Sequence, residues 1–183
     1  MLDRQAVLSP SGYVVAEVRP EPAVDPRACF VVPVCNADSP HDWWIRTDRG
    51  DNAYQVIVAS FGVRRFTTLV DRDEQPLAIV RERLTGLRDS ATIERPGRPP
   101  VSIRRRQTTL GGEAWHLSAP ETGDLHLIGD LVAHRATLWS HDEAIARIHD
   151  AGPLTDEYRV TIAERADRVL VLSSLVAIDR LRH

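Results

Sequence analysis

Short apolar runs alternate with polar turns along most of the chain, and the pattern changes only in the last segment. Runs at 13–18, 29–34, 43–46, 54–59, 63–70, 77–83, 91–94, 101–106, 114–117, 125–129, 136–139, 145–148 and 158–162 are rich in β-branched and aromatic residues. Such residues suit a pleated, half-buried surface, so these runs read as strands. Between them, 71–76, 96–100, 120–123 and 140–143 carry turn chemistry. Proline fixes φ, glycine admits positive φ, and Asp or Ser caps the turn. Short strands at regular spacing predict a meander, sandwich or barrel. A degenerate repeat supports a hairpin unit: Pro76-Leu-Ala-Ile-Val-Arg-Glu-Arg and Pro100-Val-Ser-Ile-Arg-Arg-Arg share one form, and Ala144-Ile-Ala-Arg-Ile echoes it.

The final segment behaves differently. Residues 169–178 are apolar on every side, relieved only by Ser173 and Ser174. An element without a polar stripe must be buried all round. It is too short to span a bilayer, which takes about 20 apolar residues. Asp167 is placed to accept a hydrogen bond from a first-turn amide, and Arg180, Arg182 and His183 sit where a helix dipole favours cations. Length and capping favour a helix over a long strand. Strands first and one buried helix last predict a sheet closed around a central helix, and closure removes exposed edges.

The C-terminal part carries a family resemblance. Gly129-Asp130-Leu131, a strand through Leu138, Ala144-Ile-Ala-Arg147, Asp156-Glu-Tyr158-Arg-Val160 and Asp167…Leu170-Val-Leu…Val176-Ala-Ile-Asp179 follow one another in an order that resembles the LURP-one-related proteins. That family belongs with the tubby C-terminal and phospholipid scramblase folds. Phe66-Thr-Thr-Leu-Val-Asp71 through Pro76-Leu-Ala-Ile-Val80 is similar to it as well. The likeness covers about 63–183; the first 60 residues match poorly, and 35–43 departs from the pattern. The resemblance implies a mostly β fold, a closed antiparallel barrel of about twelve strands around a hydrophobic C-terminal helix. Tubby-type relatives bind phosphoinositides through a basic surface, and scramblase-type relatives act at membranes. These motifs carry architecture more than activity. They imply a non-enzymatic binding module for anionic ligands such as phospholipid headgroups. A protein-interaction or scaffold domain and a metal-dependent hydrolase are the alternatives.

Composition narrows the chemistry. The 183 residues suffice for one domain with a sizeable core, and 43% are apolar. A net charge of -3 implies no global attraction to nucleic acid. Lysine is absent and all 23 basic residues are arginine, so neither a Schiff-base lysine nor a P-loop lysine is available. Cys29 and Cys35 would lie ~20 Å apart on one strand, too far for a disulfide unless the chain turns between them. They read as two reduced, buried thiols of a cytosolic protein, with Cys29 in the core. No signal peptide, transmembrane span or cofactor motif is read from the sequence.

The main candidate site is arginine-rich. Eight arginines fall between Arg81 and Arg106 against Glu82, Asp89 and Glu94, a local excess of about +5. Arg81 and Arg83 share a strand face. If their strand pairs with that of Arg104, Arg105 and Arg106, the guanidiniums converge, and each can grip two phosphate oxygens. A solvated face balanced by acids is the competing reading, and the lack of interleaved aromatics argues against nucleic acid. His116, His126, His134, His141 and His149 crowd the C-terminal half without H-x-x-x-H or H-x-H spacing, so isolated histidines are expected rather than a metal site. Asp130 with His134, and Asp142 with His141, are the nearest approach to acid/base pairs. No G-x-S-x-G elbow occurs, and Gly111-Gly112 reads as a hairpin turn rather than an anion nest. Trp43 and Trp44 are neighbours on one strand, so one of them faces outward as a candidate interaction residue.

Overall fold

The computed structural model describes residues 28–34, 42–61, 64–82, 90–106, 112–152 and 155–182. The expected strand at 13–18, Cys35, Arg83 and Gly111 lie outside them. Twelve strands precede one helix: β1 (Cys29–Pro33), β2 (Trp43–Thr47), β3 (Asn52–Phe61), β4 (Arg64–Val70), β5 (Pro76–Glu82), β6 (Ser90–Arg95), β7 (Arg98–Arg106), β8 (Glu113–Ser118), β9 (Leu125–Asp130), β10 (Arg135–Ser140), β11 (Glu143–Asp150), β12 (Glu157–Ile162) and α1 (Arg168–Arg182).

Each strand pairs antiparallel with its neighbours in sequence, and β1 pairs with β12 to close the ring. The period of two decides which residues fill the barrel. In β7, Val101 and Ile103 are buried while Ser102 and Arg104 face out; in β9, Leu125 and Leu127 are buried while His126 and Ile128 face out. Residues before Phe61, where the family likeness is weak, supply β1 to β3 and so complete the wall. The closing seam runs from Cys29↔Thr161 to Pro33↔Glu157, whereas β1 and β2 share only Phe30↔Thr47 and Val31↔Arg46.

Helix α1 fills the lumen. Side chains alone fill a barrel of about eight strands, and a wider one needs an insert. A helix ~10 Å across serves. Leu170 through Arg180 are all buried, with Leu172, Ala177 and Ile178 at 0% exposure. Ser173 and Ser174 donate their hydroxyls back to the carbonyls of Val169 and Leu170, each at 2.6 Å, so their polar atoms are spent within the helix. Asp167 caps the start as the sequence predicts: its Oδ1 accepts from the Leu170 amide at 3.0 Å.

Two local readings change. Only Pro96 and Gly97 form the turn after β6; Arg98, Pro99 and Pro100 already belong to β7. The prolines fit because the β6 ladder jumps from Arg95↔Arg98 to Ile93↔Val101, and the β8 ladder begins only at Ser102. Cys29 is half-buried on the outside of the wall, its Sγ 3.9 Å from Thr161 Oγ1, because Phe30 and Val32 take the inward positions.

Candidate functional site

Of the eight arginines, Arg83 and Arg88 lie outside the described residues, and the other six separate once the chain is folded. Strand β6 lies between β5 and β7, so the strands of Arg81 and Arg104–Arg106 do not pair and the expected convergence does not form. Arg81 is bound to Glu94 at 2.9 Å and lies over the Phe66 ring at 4.9 Å. At the mouth where α1 begins, Arg95 and Arg98 share Asp167 at 2.5 and 2.9 Å, with Glu121 at 3.7 and 3.6 Å. Arg105 lies over the Trp115 ring and 3.5 Å from Glu113 at the other mouth. These four are held in ion pairs that fasten strands to one another or to the helix cap.

Arg104 and Arg106 differ. Both are exposed on the outside of β7, and neither has an acidic partner among the described residues. The ladders place their neighbours. One row across the wall is Arg104↔His116↔His126↔Trp139, and the next is Arg106↔Ala114↔Ile128↔Thr137. Cross-strand neighbours lie about 5 Å apart and diagonal ones about 7–8 Å apart. Ala114 therefore presents only a methyl group between Arg106 and Ile128, with His116 beside it and Arg104 and His126 on its diagonals.

The histidine rings are 5.1 Å apart, and His116 Nε2 is 3.1 Å from Asp124 Oδ2. The bond from His116 is the main reason the Asp124 carboxyl stays below the ordinary carboxylate range. Partial burial, then His116 and Arg106, hold His126 below the usual histidine value. Ile128, opposite Ala114, and Val132, in the β9–β10 turn, are the exposed large apolar side chains among the described residues, at 55% and 75% exposure.

The other candidates resolve structurally. Trp43 packs against the core with its indole nitrogen buried and unpartnered among the described residues, and Trp44 takes the outward position, half-buried opposite Gln55. Asp130 accepts the Ala133 amide at 2.9 Å in the β9–β10 turn, while the His134 ring packs 5.5 Å from Tyr158. Among the described residues, no group of three His, Cys, Asp or Glu is placed to hold a metal ion. A cavity of about 200 Å³ beside the start of α1, floored by Leu125, Ile145 and Leu170, is smaller than the ~300–1,000 Å³ of common ligand pockets. No helix among the described residues is long and apolar enough to cross a membrane.

The histidines of the wall look isolated in the sequence. The signal that joins them is the reflection of each hairpin about its turn: folding β7 onto β8 brings Arg104 to His116, and folding β8 onto β9 brings His116 to His126.

A closed twelve-stranded barrel with its last helix inside and an outer cationic wall defines the architecture to set beside known proteins. The LURP-one-related family model matches residues 36–179, and the chain belongs to that family. The match reaches into the N-terminal region that the sequence likeness left out. The X-ray structure of a protein from Arabidopsis thaliana is similar at a TM-score of 0.63 and 16% identity, over 87% of this chain and 98% of that one. At that identity the likeness establishes the fold alone. Among curated proteins none matches the sequence.

Proposed function

We propose that this protein is a non-enzymatic binding module for anionic, phosphate-bearing ligands, working in the cytoplasm and peripherally at membrane surfaces. The observation that carries this reading is the wall around Ala114, where two arginines without acidic partners among the described residues stand beside two histidines. Guanidinium forks match phosphate oxygens bidentately. Exposed Ile128 adds apolar contact beside the charges, as a lipid surface would require. The resemblance to tubby-type and scramblase-type folds supports the same class of ligand. Among the described arginines from Arg81 to Arg106, those in structural ion pairs are Arg81, Arg95, Arg98 and Arg105, which leaves Arg104 and Arg106 for a ligand.

Sedimentation with vesicles tests it. Wild type is expected to pellet with phosphatidate-containing vesicles and not with phosphatidylcholine alone. Each basic residue near an anionic surface contributes about 1 kcal/mol, so Arg104→Gln with Arg106→Gln lowers partitioning roughly thirtyfold. Arg81→Gln changes it little. Equal, negligible pelleting with both vesicle types removes the proposal.

A further inference from the structure

The outer wall holds a titratable group at the centre of its charge. His126 faces His116 from β8, Arg106 from β7, Asp124 from the turn that precedes β9, and His141 from the β10–β11 turn; Trp139 of β10 is its register partner. Asp124 is tied to His116, at 3.1 Å, which holds that ring in place. His126 has no such carboxylate bond among the described residues. Burial, and then the neighbouring His116 and Arg106, oppose a proton on its ring.

A bound anion reverses that balance. A phosphate over the Ala114 methyl would touch Arg106 and Arg104 and stand on the diagonal from His126. Its charge would offset the arginines and favour the imidazolium, which is a second donor for the ligand. We infer that His126 is a proton-operated jaw of an anion site over Ala114, and that a phosphate monoester draws a proton onto it as it binds. This rests on the anion-binding reading above and adds its regulation and ligand class. A monoester fits better than a diester because its terminal oxygens can meet Arg104, Arg106 and His126 together.

Linkage fixes the direction. A ligand that raises the proton affinity of His126 binds more tightly when protons are abundant, by the same factor. A one-unit rise in the His126 midpoint on binding corresponds to about tenfold tighter binding once pH has fallen below its free value. The ligand alone predicts the opposite trend, because a phosphate monoester loses charge below about pH 6. Strengthening on acidification therefore has to come from the protein.

The experiment pairs two readouts on the full chain. Binding of phosphatidate vesicles, phosphatidylcholine vesicles and glycerol 3-phosphate is measured at about pH 6 and about pH 8 for wild type, His126→Gln, and Arg104→Gln with Arg106→Gln. NMR of the His126 ring in wild type follows its titration with and without inorganic sulfate, which does not titrate in this range. The expected result is tighter phosphatidate binding by wild type at the lower pH, a profile for His126→Gln without that gain, and an upward shift of the His126 midpoint with sulfate. Tight glycerol 3-phosphate binding would identify a free ester as the source, and vesicle-only binding a lipid headgroup; both support the jaw. Arginine-dependent binding with no pH dependence, or a His126 midpoint that sulfate leaves unmoved, overturns the inference while the anion-binding reading survives. No binding by wild type at either pH overturns both. Should His126→Gln fail to fold, the wild-type NMR titration still decides.

Discussion

Replacing Asp179 with asparagine is expected to stabilise this protein at alkaline pH and to flatten its stability profile. Asp179 sits near the end of α1 at 5% exposure, with Tyr158 donating to its Oδ2 at 2.8 Å and Arg182 3.9 Å from Oδ1. Burial pushes its carboxyl up from 3.8 to about 7, against the pull of the Tyr158 hydrogen bond and of Arg182. The folded protein thus holds a proton on this group at pH values where the unfolded chain has released it. Stability from this group is complete below about pH 4, declines as pH rises toward 7, and is fully lost above that. At 1.36 kcal/mol per unit the difference is about 4 kcal/mol. That is a large share of the ~5–15 kcal/mol by which domains are stable. Asp179→Asn keeps an acceptor for Tyr158 and removes the ionisation. Urea unfolding from about pH 5 to about pH 8 should show wild type losing about 3 kcal/mol from this group while the variant lacks that loss, with the two curves converging toward the acid end. Parallel curves for the two proteins would refute the assignment of a buried, proton-holding carboxyl.

Three further substitutions probe the barrel. Leu172→Ala opens a void at a 0%-exposed position inside the lumen and should cost about 2–5 kcal/mol by chemical denaturation. Gly129→Ala places a Cβ 2.3 Å from the Arg135 carbonyl oxygen at a φ of +151°, so a loss of ~3 kcal/mol is expected, and a thermal midpoint unchanged from wild type would contradict the close strand approach. Asp167→Ala removes the helix cap and takes a carboxylate from Arg95, whose side chain is 5% exposed; a loss of about 1–3 kcal/mol is expected, larger than for a cap alone.

The barrel was legible because its information is local. Alternation marks most strands, turn residues mark most hairpins, and the all-round apolarity of 169–178, with its length and capping, favours an enclosed helix. Asp167 announces the cap by its position alone. Pro99 and Pro100 misled because prolines read as turn formers until the ladder shows that they fall outside paired positions. Cys29 misled because an apolar run conceals which phase of the alternation faces inward. The arginine site was only half legible. Nearness in sequence suggested one patch, yet a strand intervenes between Arg81 and Arg104, and Asp167 at the cap of α1, Glu121 of the 119–124 turn and Glu113 of β8 claim Arg95, Arg98 and Arg105. The histidines that replace the lost partners come from two hairpins further on, so their meeting depends on register, which residue spacing does not reveal without the exact turn lengths.

The order of elements sets a constraint on assembly. Every strand precedes the rod that occupies the lumen, and the seam that seals the ring joins Cys29 to Thr161, 132 positions apart. During synthesis the early hairpins therefore wait with their oily inner faces uncovered until the last element emerges. Zipping β1 onto β12 too soon would shut out the helix, so insertion and sealing must proceed together. Such non-local, all-at-once closure is slow by nature, and exposure of the unfilled sheet, rather than weakness of the finished barrel, is the hazard this topology carries in the cell.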